Sequence, residues 1–306
     1  MKGMKADLEP GMKSRWIVLA LALGLIAVGG FVHAQEKTVR QSLLTSEEGM
    51  FVKIEGGLGS FLIRKGDPNT AYTLVQAEND SKNTQATITY EVQNKRGVLT
   101  IDLNSDHGEG GISDIMHLFK GTHGGRWRLE LTDKIPIDLD MEFGAGEANL
   151  DLTGLNITGL NIETGASSLV VRSASLNPGR IRTLSISAGL GSIESESLGN
   201  LNFEHFRFEG GLGSYQLDLT GALRDGARIR AEVGLGSLDI QLPEHVGVMA
   251  RCEDSFLSSS KFHQFVRVND NVYQTPNYRS AARKVKLNVE SGIGSVSVKT
   301  SARSGR

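Results

Sequence analysis

A carboxylate recurs two residues ahead of a Gly-rich tetrapeptide: Glu55, Glu142, Glu163, Glu209, Glu232 and Glu290, with Ser187 in the remaining copy. On neighbouring strands such side chains would form a column, and like charges stacked at strand spacing repel unless compensated. Two chemistries can compensate them. Backbone N–H groups exposed at a glycine corner can donate to the carboxylates, which makes the column structural, and this is the reading the sequence favours. Otherwise the column is an open ladder for cations or a cationic ligand, with Glu163, Glu209 and Glu232 as its candidate residues. Lys53, Arg207 and Arg230, two residues earlier, supply part of the balance.

A second polar column follows the corners: Asp151, Glu196, Asp218 and Gln241, flanked by Asn149, Glu194, Gln216 and Asp239. Two carboxylates ~5–10 Å apart suit glycoside hydrolysis. These acids form a smear rather than an isolated pair, so no enzyme and no cofactor is expected. His107, His117 and His123 crowd one segment with Asp106, Glu109 and Asp114, but their spacing fits no metal-ligand template, and no metal is expected. Cys252, the single cysteine, cannot form an internal disulfide; its inward register with Val248 and Ala250 makes it a small core residue.

The elements that must hold these columns are written in the tetrapeptide itself. Its copies are Gly57-Leu-Gly59-Ser60, Gly144-Ala-Gly146-Glu147, Gly165-Ala-Ser-Ser168, Gly189-Leu-Gly191-Ser192, Gly211-Leu-Gly213-Ser214, Gly234-Leu-Gly236-Ser237 and Gly292-Ile-Gly294-Ser295. From Gly144 to Gly234 the spacings are 21, 24, 22 and 23, a solenoid period. Apolar residues alternate at period two on both sides of each corner and change phase across it. Ile229, Ala231, Val233 and Leu235 give way to Leu238, Ile240 and Leu242; Phe206, Phe208 and Leu212 give way to Tyr215, Leu217 and Leu219. Leu212, Leu235 and Ile293 thereby fall on the inward register. Alternation marks a strand with one buried face, and the phase change marks a sharp bend that keeps that face inward.

Turn signals such as Leu152-Thr-Gly-Leu155 and Leu198-Gly-Asn-Leu201 separate the copies, so each repeat reads as two strands, a corner and a shorter third strand. The expected fold is all-β, a single-stranded β-helix with coils of about 22 residues over 126–300, capped by β structure over 46–105. Strand follows each glycine pair where a dinucleotide site needs a helix, and the period is too long for a Ca²⁺-binding nonapeptide array. A Gly- and His-rich insertion spans 106–125; within it Ile112, Ile115, Met116 and Phe119 at helical spacing predict a two-turn lid over 112–119. A second insertion over 261–283, with Tyr273 and Tyr278, reads as a hairpin off the stack. Residues 301–306 read as a disordered tail.

Lys2, Lys5, Lys13 and Arg15 precede an apolar run from Trp16 to Val28, and Val32-His33-Ala34 fits signal peptidase. Residues 1–34 therefore read as a signal peptide cleaved between Ala34 and Gln35. The chain is expected in the periplasm or at the cell surface. With 37 glycines, 6 prolines and a net charge of −2 of interspersed signs, it lacks the basic footprint of a nucleic-acid binder.

The run Leu139-Asp-Met-Glu-Phe-Gly-Ala-Gly-Glu-Ala-Asn-Leu-Asp-Leu152, followed by Leu160-Asn-Ile-Glu-Thr-Gly-Ala166, resembles the bacterial toast-rack family, related to the C-terminal domain of cell-wall-active-antibiotic response proteins. The likeness runs over about 46–300 and is strongest over 126–245. It implies a cell-envelope protein without known enzymatic activity. Membrane-embedded relatives carry several spans where this chain has only a signal-like segment. The expected function is non-enzymatic, in binding, adhesion or envelope-stress response, with an envelope protein or polysaccharide as partner. The alternatives are a polysaccharide-acting β-helix enzyme, or a regulator docking on a membrane signalling protein through 112–119 or 261–283.

Overall fold

The computed structural model describes residues 37–42, 47–67, 73–79, 87–102, 125–254 and 257–301. The Ala34–Gln35 junction, the helix expected over 112–119, the histidines His107, His117 and His123, and residues 302–306 lie outside the described residues.

The body is a stack of long parallel strands that each bend at the glycine corner. β8 (Ile137–Asp151), β9 (Ile157–Arg172), β10 (Ile181–Glu196), β11 (Phe203–Asp218) and β12 (Arg228–Pro243) pair consecutively and in parallel. Their corners align: Gly146 pairs with Ser167, Ser167 with Gly191, Gly191 with Gly213, and Gly213 with Gly236. A strand with alternating apolar residues on both limbs of a bend closes over its own core. Phe206 and Phe208 point inward before the bend of β11, Tyr215 and Leu217 after it. The rings of Phe208 and Tyr215 meet edge to face across it, with centroids 5.1 Å apart. Each buried apolar side chain of this size contributes about 1.5–3 kcal/mol, repeated at every rung.

Two expectations need correction. Each repeat carries one continuous strand rather than two: the strand runs through the corner, where the parallel pairing skips only the first glycine. No third strand forms within 152–156, 173–180, 197–202 or 219–227. These connections bury Leu152, Leu155, Leu198, Leu201, Leu219 and Leu223 and bond rung to rung only at scattered points, such as Leu152 N–H to Arg172 C=O (2.9 Å). Second, Leu212, Leu235 and Ile293 are 48%, 44% and 45% exposed, not inward. The bend carries them over its convex apex, where the phase of the alternation is lost.

At both ends of the stack the order of rungs departs from the order of the chain. At one end β2 (Gly49–Glu55) and β3 (Leu58–Lys65), joined by the Gly56-Gly57 bend, lie on β8. Outside them, β6 (Arg96–Asp102) stacks on β2 and β7 (Arg126–Leu131) on β3. At the other end β17 (Lys284–Ser301) lies on β12. Outside it stack β13 (Gly247–Asp254) and β14 (Ser258–His263). Antiparallel strands close both ends: β1 (Lys37–Ser42) on β4 (Thr73–Asn79), β4 on β7 and β5 (Thr87–Gln93) on β6; then β16 (Val272–Gln274) on β13, with β15 (Val266–Asn269) at the edge. The hairpin read in the second insertion thus lies against the end of the stack, and β14 is part of the stack.

Candidate functional site: the outer columns

Strand register turns the recurring carboxylates into one continuous column. Asp102 pairs with Glu55, Glu55 with Glu142, Glu142 with Glu163, Glu163 with Ser187, Ser187 with Glu209, Glu209 with Glu232, Glu232 with Glu290 and Glu290 with Glu253. Neighbours in such a column stand ~4.8 Å apart. Asp102 and Glu253 escape a sequence reading because neither precedes a glycine corner. Their place on the same alternation as Lys53-Glu55 and Arg251-Glu253 is the signal that finds them.

Among the described residues no backbone N–H donates to Glu55, Glu142, Glu163, Glu209, Glu232, Glu253 or Glu290, so the expected main-chain compensation is absent. Side chains of the same face supply it instead. Lys53 pairs with Glu55, and Arg230 pairs with Glu232 and reaches Glu290 at 3.5 Å. The Glu55 carboxylate holds the Lys53 ammonium above its usual range, and Glu232 does the same for the Arg230 guanidinium. Asn161 donates to Glu163 (3.3 Å) and to Asp140 on the adjoining rung (2.9 Å). Of the three candidate ladder residues, Glu163 and Glu209 are exposed and Glu232 half-buried, three rungs being taken by Ser187, Glu209 and Glu232 in sequence after Glu163. Among the described residues no group of three or more His, Cys, Asp or Glu side chains is arranged to hold a metal ion.

The glycines are demanded by stacking. A Cβ on Gly146, Gly191, Gly213, Gly236 or Gly294 would lie 1.8–1.9 Å from a carbonyl oxygen of the adjoining rung. A Cβ on Gly144, Gly165, Gly189, Gly211, Gly234 or Gly292 would meet the carbonyl of the preceding corner at 2.2–3.1 Å. At the first corner Gly57 is needed for its left-handed φ of 69°, and a Cβ on Gly59 would crowd the Phe61 ring at 3.1 Å. Ser167 alone replaces a glycine of the second series, turning its hydroxyl inward to Thr164 Oγ1 (2.7 Å).

The post-corner column alternates in sign from Glu130 to Glu196 once basic residues of other rungs are placed in it, and loses the alternation at Asp218 and Gln241. Glu130, Arg64, Asp151, Arg172, Glu196, Asp218, Gln241 and Lys299 follow one another across the stack. Arg64 pairs with Glu130 (2.6 Å), and Arg172 with Asp151 (3.4 Å) and Glu196 (3.9 Å). Asp218 accepts from the backbone N–H groups of Ser197 (3.1 Å) and Thr220 (2.8 Å), a turn-holding role. The shallow groove here is lined by Glu194, Glu196, Gln216, Asp218, Asp239 and Lys299 with no isolated carboxylate pair. Cys252 is buried, its Sγ 3.2 Å from Ser260 Oγ, in keeping with a core role.

Residues 30–196 match the family model described as the N-terminal domain of toast_rack, and residues 190–298 match the C-terminal domain of LiaF, of the cell wall-active antibiotics response. No curated protein matches the chain. Among solved structures, a proposed cell adhesion protein of Clostridium sporogenes is 18% identical and covers 87% of this chain and 100% of its own, with a TM-score of 0.44. A proposed adhesin of Bacteroides fragilis is 14% identical and covers 88% and 100%, with a TM-score of 0.32.

Proposed function

The chain belongs to the toast-rack family, and from that premise we propose that it is an exported, non-enzymatic protein of the bacterial cell envelope that serves the response to cell-wall damage by binding an envelope component along its outer faces. The observation that carries this reading is the joint match: the toast_rack and LiaF C-terminal regions together span residues 30–298, and the described strands of that span pair into one sheet. Each long strand with its connection reads as one coil of a β-solenoid of about 22 residues, supported by the in-register corners. Such a stack offers long, flat, regularly charged faces, which suit binding rather than turnover. Of the post-corner acids, Asp151, Glu196 and Asp218 are tied into ion pairs and turns, which speaks against a catalytic role for them.

Export and stress response are tested together in the source bacterium. Mass spectrometry of the cell-envelope or secreted fraction is expected to find a chain beginning at Gln35. Deleting the gene is expected to change survival under a cell-wall-active antibiotic while leaving growth without it unchanged. Intact chain confined to the cytosol, or a deletion strain with unaltered survival, would reject the reading.

A further inference from the structure

The outer face of the pre-corner limb is divided by charge, and its basic half is unexplained by the fold. In one column His205 pairs in register with Arg228, and Arg228 with Lys286; in the next, Arg207 pairs with Arg230, Arg230 with Asn288, and Asn288 with Arg251. All five Arg and Lys side chains are exposed and His205 is half-buried. Like charges directly opposite each other weaken strand pairing. Only Arg230 has intramolecular ion pairs here; Arg207, Arg228, Arg251 and Lys286 form none among the described residues. On the far side of two neutral rungs, Thr183 with Ser185 and Gly159 with Asn161, the same two columns turn acidic at Asp138 and Asp140. Apart from Lys53, which stands in register with Asp140, the cations of these two columns are therefore gathered on one half of the face.

Adjacent rungs are ~4.8 Å apart and alternate residues along a strand ~6.6 Å apart, so these side chains form a two-column lattice of positive charge running along the stack. Arginine forks match the paired oxygens of phosphate or carboxylate. One flank of the lattice is the column Glu209, Glu232, Glu290 and Glu253. A flat anionic lipid surface laid on this face would press against those carboxylates, and the lattice has no apolar side chain to insert. A narrow chain lying along the two columns meets these cations and the neutral Asn288, and no carboxylate of the flanking column. We propose that the surface formed by His205, Arg207, Arg228, Arg230, Lys286 and Arg251 is a binding track for a linear polyanion with a phosphate or carboxylate on each repeating unit.

This deepens the envelope-binding reading by giving the partner its chemistry, yet its test is independent of export or stress phenotype. The purified chain is titrated with two probes, inorganic polyphosphate and poly-glutamate, and with phosphatidylglycerol vesicles. Binding of either chain is expected at 50 mM salt and should weaken at least ~10-fold by 200 mM, as counterion release requires. Whichever chain binds names the charged group. The double variant Arg207→Gln/Arg228→Gln should lose at least ~10-fold in affinity with an unchanged Tm, because both side chains are exposed and unpaired. Asp138→Asn, across the two neutral rungs, should bind as well as the native chain or better. Absence of binding by both chains, binding that survives the double variant, or binding to vesicles alone would each overturn the proposal. A gene-deletion phenotype could persist in all three cases, so the two readings fail separately.

Discussion

At the scale of single residues, the glycine corners and the charged columns obey different constraints. The corner glycines answer to the backbone of the next rung. Gly213 has ordinary φ, yet its added Cβ would lie 1.9 Å from Gly191 O and 2.9 Å from the Tyr215 hydroxyl. Neither obstacle is a flexible side-chain end, since Tyr215 is fully buried and Gly191 belongs to the ladder. Gly213→Val should therefore lower stability by a few kcal/mol in denaturant unfolding. A midpoint equal to that of the native protein would show that the corner can open. The columns answer instead to electrostatics, which tolerates variation: Ser187 interrupts the acidic series without disturbing register. The acids and the glycines were both legible in the sequence because their spacing repeats. The bonding of those acids was not, since Arg230 spans two rungs to reach Glu232 and Glu290.

At the scale of elements, the strands are held by their ladders, whereas the connections depend on a few buried amides. Asn177, in the connection after β9, is 3% exposed. Its side chain donates to the carbonyls of Ile157 (2.7 Å) and Leu201 (3.1 Å) and accepts from Ile157 N–H (2.9 Å), tying three successive levels together. Asn200 does similar work one rung on, donating to Ser173 C=O (2.8 Å) and accepting from Ala222 N–H (2.9 Å). Replacing Asn177 by Leu keeps the volume but leaves several buried backbone groups unbonded, each costing ~1–3 kcal/mol. Asn177→Leu should thus cost at least ~3 kcal/mol by urea unfolding; a loss under 1 kcal/mol would mean water or a shifted connection replaces those bonds. The sequence announced these segments only as turns. An asparagine in a loop carries no periodic signal, and its partners lie 20 to 24 residues away.

At the scale of the whole molecule, the order of rungs differs from the order of the chain. β17, last in sequence, lies between β12 and the pair β13 and β14; β2 and β3, near the start, lie between β8 and the pair β6 and β7. β17, β2 and β3 are thus each gripped on both edges, so none of the three presents the open strand edge that a terminal rung would offer to another chain. Truncation after Arg283 should therefore remove an interior rung. We expect such a chain to lose amide-exchange protection in β12 and β13 alike and to unfold at lower denaturant. Protection of β13 retained at the native level would show that the end assembles without β17. The sequence by itself determined the all-β class, the repeat, the bends and the family, because each depends on local alternation and on residues that recur at a constant interval. The tertiary structure decided the intercalated ends, the exposed leucines of the corner apex and the separation of charge on the outer face. These depend on which distant strands become neighbours, and pairing between strands tens of residues apart leaves no periodic trace in the chain.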